Sequence, residues 1–210
     1  MNQILKENDA LIFGKYVSHL MYKTPKRALQ MLSYYKFVAN FIPPGKKILE
    51  IGCNEGFGTW LLSKNASSVT AVDFDKDAIE TAKTLWKDPK LEFIANDFRA
   101  IEKQAYDIVI LFDVVEHIFP ENFPEFFQNL LDCLPQDGML VIGKPSLEQQ
   151  KYASKLARQG HVNCMTGQVL EDLIDQFFHH TFIFCGNDEL VHTGFWPMAN
   201  YLLGIGYSKK

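Results

Sequence analysis

Cysteine is scarce in this sequence, and the four present (Cys53, Cys133, Cys164 and Cys185) are scattered without a CxxC pair. That fits free thiols in a reducing cytosol better than a disulfide frame or a zinc knuckle. No apolar run approaches the roughly 20 residues of a membrane span. The opening stretch, Met1 to Asp9, is polar and of mixed charge, unlike a secretory signal. A dominant charge is also missing: 25 acidic against 21 basic residues leave −4. Nucleic-acid binding, which rests on a basic footprint, is therefore disfavoured. Internal repeats and low-complexity tracts are absent. What remains is 210 residues, 47% hydrophobic and 22% charged, enough for one well-buried core and too ordered in composition for wholesale disorder. The expectation is a cytoplasmic globular protein.

Residues Ala10 to Ile42 read as helical, with apolar residues at three- and four-residue steps through Tyr34, Tyr35, Val38, Phe41 and Ile42. Thr24 is the expected N-cap of a helix whose first turn holds Pro25, and Pro43-Pro44-Gly45 stops it. From Lys47 onward short apolar runs alternate with amphipathic stretches. Strands are expected at 48–51, 69–72, 91–95, 107–112 and 139–142, with two more at 181–185 and 201–205. Asp75 and Thr166 are placed to cap the helices that follow them. His179 and His180 are expected at a helix end, where a cation suits the dipole. Runs as continuously apolar as Ile108 to Phe112 imply strands covered on both faces, hence a parallel sheet. The fold class is α/β, a doubly wound Rossmann-like sandwich whose ligand site lies beyond the carboxyl ends of the strands.

Those ends carry the distinctive residues. The first reads Leu49-Glu50-Ile51-Gly52-Cys53-Asn54-Glu55-Gly56-Phe57-Gly58, a glycine turn with acids before and inside it. Acids repel a pyrophosphate and suit a ligand that carries positive charge. The second end places Asp73 23 positions after Glu50, close to the offset at which an acid accepts from ribose hydroxyls. At the third, Asp97 can accept from an adenine amino group, with Phe74 and Phe98 as apolar faces for the ring.

The runs LEIGCNEGFGT, VTAVDFD, IANDF and YDIVILFDVVEHI, in this order, resemble the class I S-adenosylmethionine-dependent methyltransferases over about Lys46 to Lys210. The resemblance implies a mostly parallel seven-stranded sheet with an antiparallel C-terminal strand. It also divides the chain into a helical cap (1–45) over the site and a methyltransferase domain (46–210). The cofactor-binding set it implies is Glu50, Gly52, Cys53, Asn54, Gly56, Asp73, Phe74, Asp97, Phe98 and Phe112, with Glu50 and Gly52 around the methionine part. Asn54 departs from the family's central glycine, but Asn enters left-handed conformations readily.

Downstream, Asp113-Val114-Val115-Glu116-His117 and Gly160-His161 resemble a branch that includes ubiquinone-pathway O-methyltransferases and small-RNA 3′-terminal 2′-O-methyltransferases. In that branch such residues can hold a divalent metal. No metal is assigned here; Asp113, Glu116, His117 and His161 are the candidates. His117 is the expected base, with Asp113 and His161 orienting the acceptor. The C-terminal stretch is similar to sugar-modifying methyltransferases, so the expected acceptor is a small-molecule hydroxyl, first on a sugar or nucleotide sugar, second on a phenol or quinone precursor. A catalytically silent S-adenosylmethionine-binding subunit and an RNA 3′-end methyltransferase are the alternatives, and a homodimer is compatible with the sequence.

Overall fold

A computed structural model describes residues 12–101, 105–187 and 190–210. Two helices come first, α1 (Lys15–Lys23) and α2 (Pro25–Phe41), followed by the alternation β1 (Lys47–Ile51), α3 (Phe57–Leu62), β2 (Ser68–Asp73), α4 (Lys76–Leu85), β3 (Leu91–Ala95), β4 (Ile108–Phe112), α5 (Phe123–Asp132) and β5 (Met139–Pro145). Then come α6 (Lys155–Gly160), α7 (Gly167–Asp175), β6 (Phe178–Asn187), β7 (Leu190–His192) and β8 (Tyr201–Lys209). Short 3-10 turns at Phe98–Ala100, Val115–His117 and Leu147–Tyr152 fill three of the loops.

The sheet order is β3-β2-β1-β4-β5-β8-β6-β7. The first five strands are mutually parallel; β8 runs antiparallel to β5 and β6, and β7 antiparallel to β6. The eighth strand is β7, three residues long and too short to leave a pattern in the sequence. Strands β1 and β4 lie side by side, so chain order reverses there and the loops after them part to opposite faces. This is the switch point at which open α/β sheets bind ligands.

Burial explains the rest of the layout. Ile48, Leu49, Val109, Ile110, Leu111, Leu140, Val141 and Ile142 are inaccessible or nearly so, as central strands covered on both faces must be. On one face Phe126, Phe127, Leu130, Leu170 and Ile174 from α5 and α7 close the core. On the other, Tyr34, Tyr35 and Val38 of α2 and Leu62 of α3 do so.

Local chemistry starts two of the helices as the sequence predicts. Asp75 Oδ1 accepts from the amides of Asp77 and Ala78, and Thr166 Oγ1 accepts from that of Val169. Thr24 is an exception. Its side chain makes no cap bond; the hydroxyl donates back to Leu20 O at 3.4 Å, the last turn of α1, and Pro25 begins α2 unaided. The histidine pair is another, since α7 stops at Asp175 and His179 and His180 lie in β6.

Candidate active site

A cavity of about 800 Å³ opens beyond the carboxyl ends of β1, β2, β3 and β4, and α1 and α2 cover it with Tyr16, Val17, Arg27, Met31, Tyr34 and Tyr35. Its floor is the β1–α3 turn. Gly52 has φ +78°, and a Cβ there would meet Val114 at 2.4 Å, so only glycine lets this turn pass under the β4 loop. Asn54 takes φ +50°, the left-handed conformation expected of it, and its side-chain oxygen accepts from the amide of Glu55 at 2.7 Å. Cys53 is buried, and burial pushes its thiol well above the ordinary range, which suits packing and not nucleophilic chemistry. Gly56, also at positive φ, lies off the cavity. It starts α3, and a Cβ there would collide with Phe93 and Trp86, so the packing beneath the turn needs glycine.

Asp73 is aimed by two backbone donors. Oδ2 accepts from Asn54 N at 2.8 Å, and Oδ1 from Asp75 N at 2.9 Å. Each oxygen keeps a second lone pair for a ligand hydroxyl. Phe74, 85% exposed, and buried Phe98 line the cavity on either side of Asn96 and Asp97. Asp97 is more encumbered: the Arg99 amide and guanidinium both donate to it, and Arg99 holds its carboxyl below the usual range. An adenine amino group would share Asp97 with Arg99.

Glu50 departs from expectation. It is 1% exposed and absent from the cavity wall, with Oε1 accepting from Tyr35 Oη at 2.7 Å and Oε2 from Thr59 Oγ1 at 2.5 Å. Burial raises its pKa, and those two donors pull it back. Glu50 therefore seats α2 on the sheet, with both carboxylate oxygens bonded to protein hydroxyls. Two further acids do similar work. Glu55 Oε2 accepts from Tyr16 N at 2.9 Å at the start of α1, and Asp113 Oδ2 accepts from Tyr34 Oη at 3.0 Å. Unlike Glu50, both line the cavity. Sequence reasoning missed Tyr34 and Tyr35 as partners of these acids, because a tyrosine on an apolar helix face signals only core.

At the end of β4, Phe112 and Asp113 line the cavity, with Asp113 in a left-handed conformation at φ +55°. Burial raises the Asp113 pKa, opposed by the Tyr34 hydrogen bond and the Arg27 charge. Arg27 is on the cavity wall, and its guanidinium forms no ion pair among the described residues.

His117, on the wall, has Nδ1 3.0 Å from Gly160 O. A carbonyl can only accept, so Nδ1 carries a proton and, in the neutral ring, Nε2 keeps its lone pair. His161 lies outside the wall, its ring centroid 5.3 Å from that of His117 and its Nδ1 3.1 Å from Gln150 Oε1. Ligand atoms of Glu116, His117 and His161 all lie within 4.8 Å of one another. Asp113 does not join them: its carboxylate accepts from Tyr34, so three of the four candidate residues stand together. Glu116 is buried with Oε2 unbonded, and both nearby histidines have their other nitrogen engaged, so the three residues are chemically fit for a divalent cation.

Comparison with known proteins agrees with this geometry. Residues 48–138 match the family described as methyltransferase domain. Among curated relatives, the ubiquinone biosynthesis O-methyltransferase of Rickettsia akari is 31% identical over 110 residues, 51% of this chain and 43% of that protein. A probable S-adenosylmethionine-dependent methyltransferase of Mycobacterium tuberculosis is 27% identical over 103 residues, 48% of this chain and 36% of that one. The chain thus spans less than half the length of these relatives. In fold it is similar to the N-methyltransferase NodS of Bradyrhizobium japonicum in complex with S-adenosyl-L-homocysteine (TM-score 0.67, 17% identity, 90% of each chain). It is also similar to the methyltransferase domain of a bacterial Hen1 (TM-score 0.69, 16% identity, 86% of this chain and 100% of that one). With the ordered strand-end motifs and the cavity they frame, these matches support reading residues 48–138 as a methyltransferase domain of the class I S-adenosylmethionine-dependent type, in a fold similar to that of solved methyltransferases.

Proposed function

We propose that this protein transfers a methyl group from S-adenosylmethionine to a hydroxyl of a small molecule, with a sugar or nucleotide sugar as the first candidate and a phenol or quinone precursor as the second. The observation that carries the choice of a hydroxyl is His117: a cavity-lining imidazole whose Nδ1 is committed to Gly160 O and whose Nε2 is left as a base. An amine acceptor needs little beyond positioning, whereas a hydroxyl gains from a base that takes its proton as the oxygen attacks. The name of the Rickettsia relative, an O-methyltransferase, points the same way.

When bound, S-adenosylmethionine supplies an electrophilic methyl and a neutral thioether leaving group. In this reading Asp73 accepts from the ribose hydroxyls, Phe74 and Phe98 sandwich the adenine, and Asp97 accepts from its amino group. Gly52, Cys53 and Asn54 form the floor under the methionine part, whose carboxylate is met by Arg27. Phe112 and Asp113 border the reacting carbon. His117 Nε2 takes the acceptor's proton as its oxygen bonds to the methyl, and Asp113, held by Tyr34, orients the acceptor. Positioning and exclusion of water do most of the remaining work.

A second reading has its own observation, the Glu116–His117–His161 cluster. Those residues would hold a divalent cation, which lowers the pKa of a bound hydroxyl.

The test is an acceptor screen with radiolabelled cofactor across nucleotide sugars, free sugars and catechols, run with and without a strong chelator. Label transferred to an oxygen of one class supports the proposal. Transfer to nitrogen alone, or none to any acceptor despite firm cofactor binding, overturns it. Turnover indifferent to chelation and to His161→Ala retires the cation.

A further inference from the structure

Lys144, near the end of β5, is fully buried, and its Nζ donates to the backbone carbonyl of Asn163 at 2.7 Å. No carboxylate stands within 4.0 Å of it among the described residues, and buried Glu116 acts on it only through space. An ammonium taken wholly out of water is costly, so its presence calls for a role.

The loop it touches is fixed at three places. His117 Nδ1 donates to Gly160 O. The carbonyl of Glu116 accepts from Val162 N at 2.8 Å and from Asn163 N at 3.1 Å. Lys144 then takes the Asn163 carbonyl from the side of the sheet. All these bonds go to backbone atoms of residues 160–163, the segment that carries His161. Two of the anchors, Glu116 and His117, belong to the three-residue 3-10 turn after β4, whereas Lys144 belongs to a seven-residue central strand.

We propose that Lys144 is a positioning residue that docks the 160–163 loop on β5 and so holds His161 beside His117. It acts through that loop and touches neither cofactor nor acceptor. The inference deepens the proposed function, because the placement of the two histidines matters for methyl transfer only if that reading holds.

The test needs no known acceptor. Lys144→Met is compared with wild type and with Ile142→Ala, a buried-core change on the same strand. Amide hydrogen exchange is followed at Val162 and Asn163, and ¹⁵N imidazole spectra at His117 and His161. Lys144→Met is expected to speed exchange at those two amides at least about 10-fold relative to β4 amides, and to shift His117 away from the pure Nδ1–H tautomer. Ile142→Ala is expected to lower overall stability and leave both signatures unchanged. Exchange within twofold of wild type, or uniform acceleration across the sheet, overturns the proposal. Should Lys144→Met fail to fold, wild type decides: slowly exchanging Lys144 Nζ protons with a coupling through the hydrogen bond to the Asn163 carbonyl carbon are expected, and their absence overturns it. S-adenosylhomocysteine binding by wild type is measured alongside. Its absence would sink the functional reading while leaving the loop result standing.

Discussion

Tyr35 on α2 donates its hydroxyl to Glu50 at the end of β1, 2.7 Å away and sealed from water. Removing the donor leaves a buried carboxylate with one partner, Thr59. Tyr35→Phe is expected to cost about 1–3 kcal/mol in urea unfolding. The pH dependence has a definite sign. Burial raises the Glu50 pKa in the folded state above the ordinary 4.5, so the folded chain holds this proton more tightly than the unfolded chain. Glu50's contribution to stability is greatest below that ordinary value and falls as pH rises through the raised one. Tyr35→Phe removes a donor that favours the charged form and should steepen the fall, whereas Glu50→Gln should abolish this component. Unfolding curves at a series of pH values above 4.5 distinguish the three proteins, and parallel profiles would refute the assignment.

Asp73 is held by two backbone amides and faces the cavity. Asp73→Ala should weaken S-adenosylhomocysteine binding about 10- to 100-fold in calorimetry, a loss of about 1.4–2.8 kcal/mol. Equal affinity in both proteins would take Asp73 out of the site.

Asn54 pays little for φ +50° because its side chain suits the left-handed region. Asn54→Ala should lose about 1 kcal/mol in thermal unfolding, and Asn54→Gly should come close to wild type. If both variants melt alike, the left-handed turn is not what the asparagine serves.

His117→Ala should reduce turnover about 10²- to 10⁴-fold once an acceptor is in hand, with S-adenosylhomocysteine affinity unchanged. Full turnover across pH in that variant would exclude His117 as the base.

Much of the fold is legible in the sequence because its signals are local. Five apolar runs mark the parallel strands, Asp75 and Thr166 mark helix starts, and Gly52 and Asn54 mark a turn that needs positive φ. The site is less legible, because it is made by distant pairs. Tyr34 and Asp113 are 79 positions apart, and nothing near either one announces the other. Glu50 stands where an acid of the family's first motif is expected, yet the hydroxyls of Tyr35 and Thr59 occupy both its oxygens. Thr24 shows the local version of the same failure: a preceding helical turn offered a carbonyl to its hydroxyl, and that competed with capping the next helix.

Three acids at the strand ends hold the leading helices: Glu55 grips α1 through the Tyr16 amide, and Glu50 and Asp113 grip α2 through Tyr35 and Tyr34. The front of the molecule is therefore not a cassette that can be traded for the leading helices of a protein of similar fold to redirect its specificity. A chimera whose transplanted helices lacked phenols at both tyrosine positions would take one donor from buried Glu50 and one from Asp113, and it would need compensating changes in the sheet before any new specificity could show.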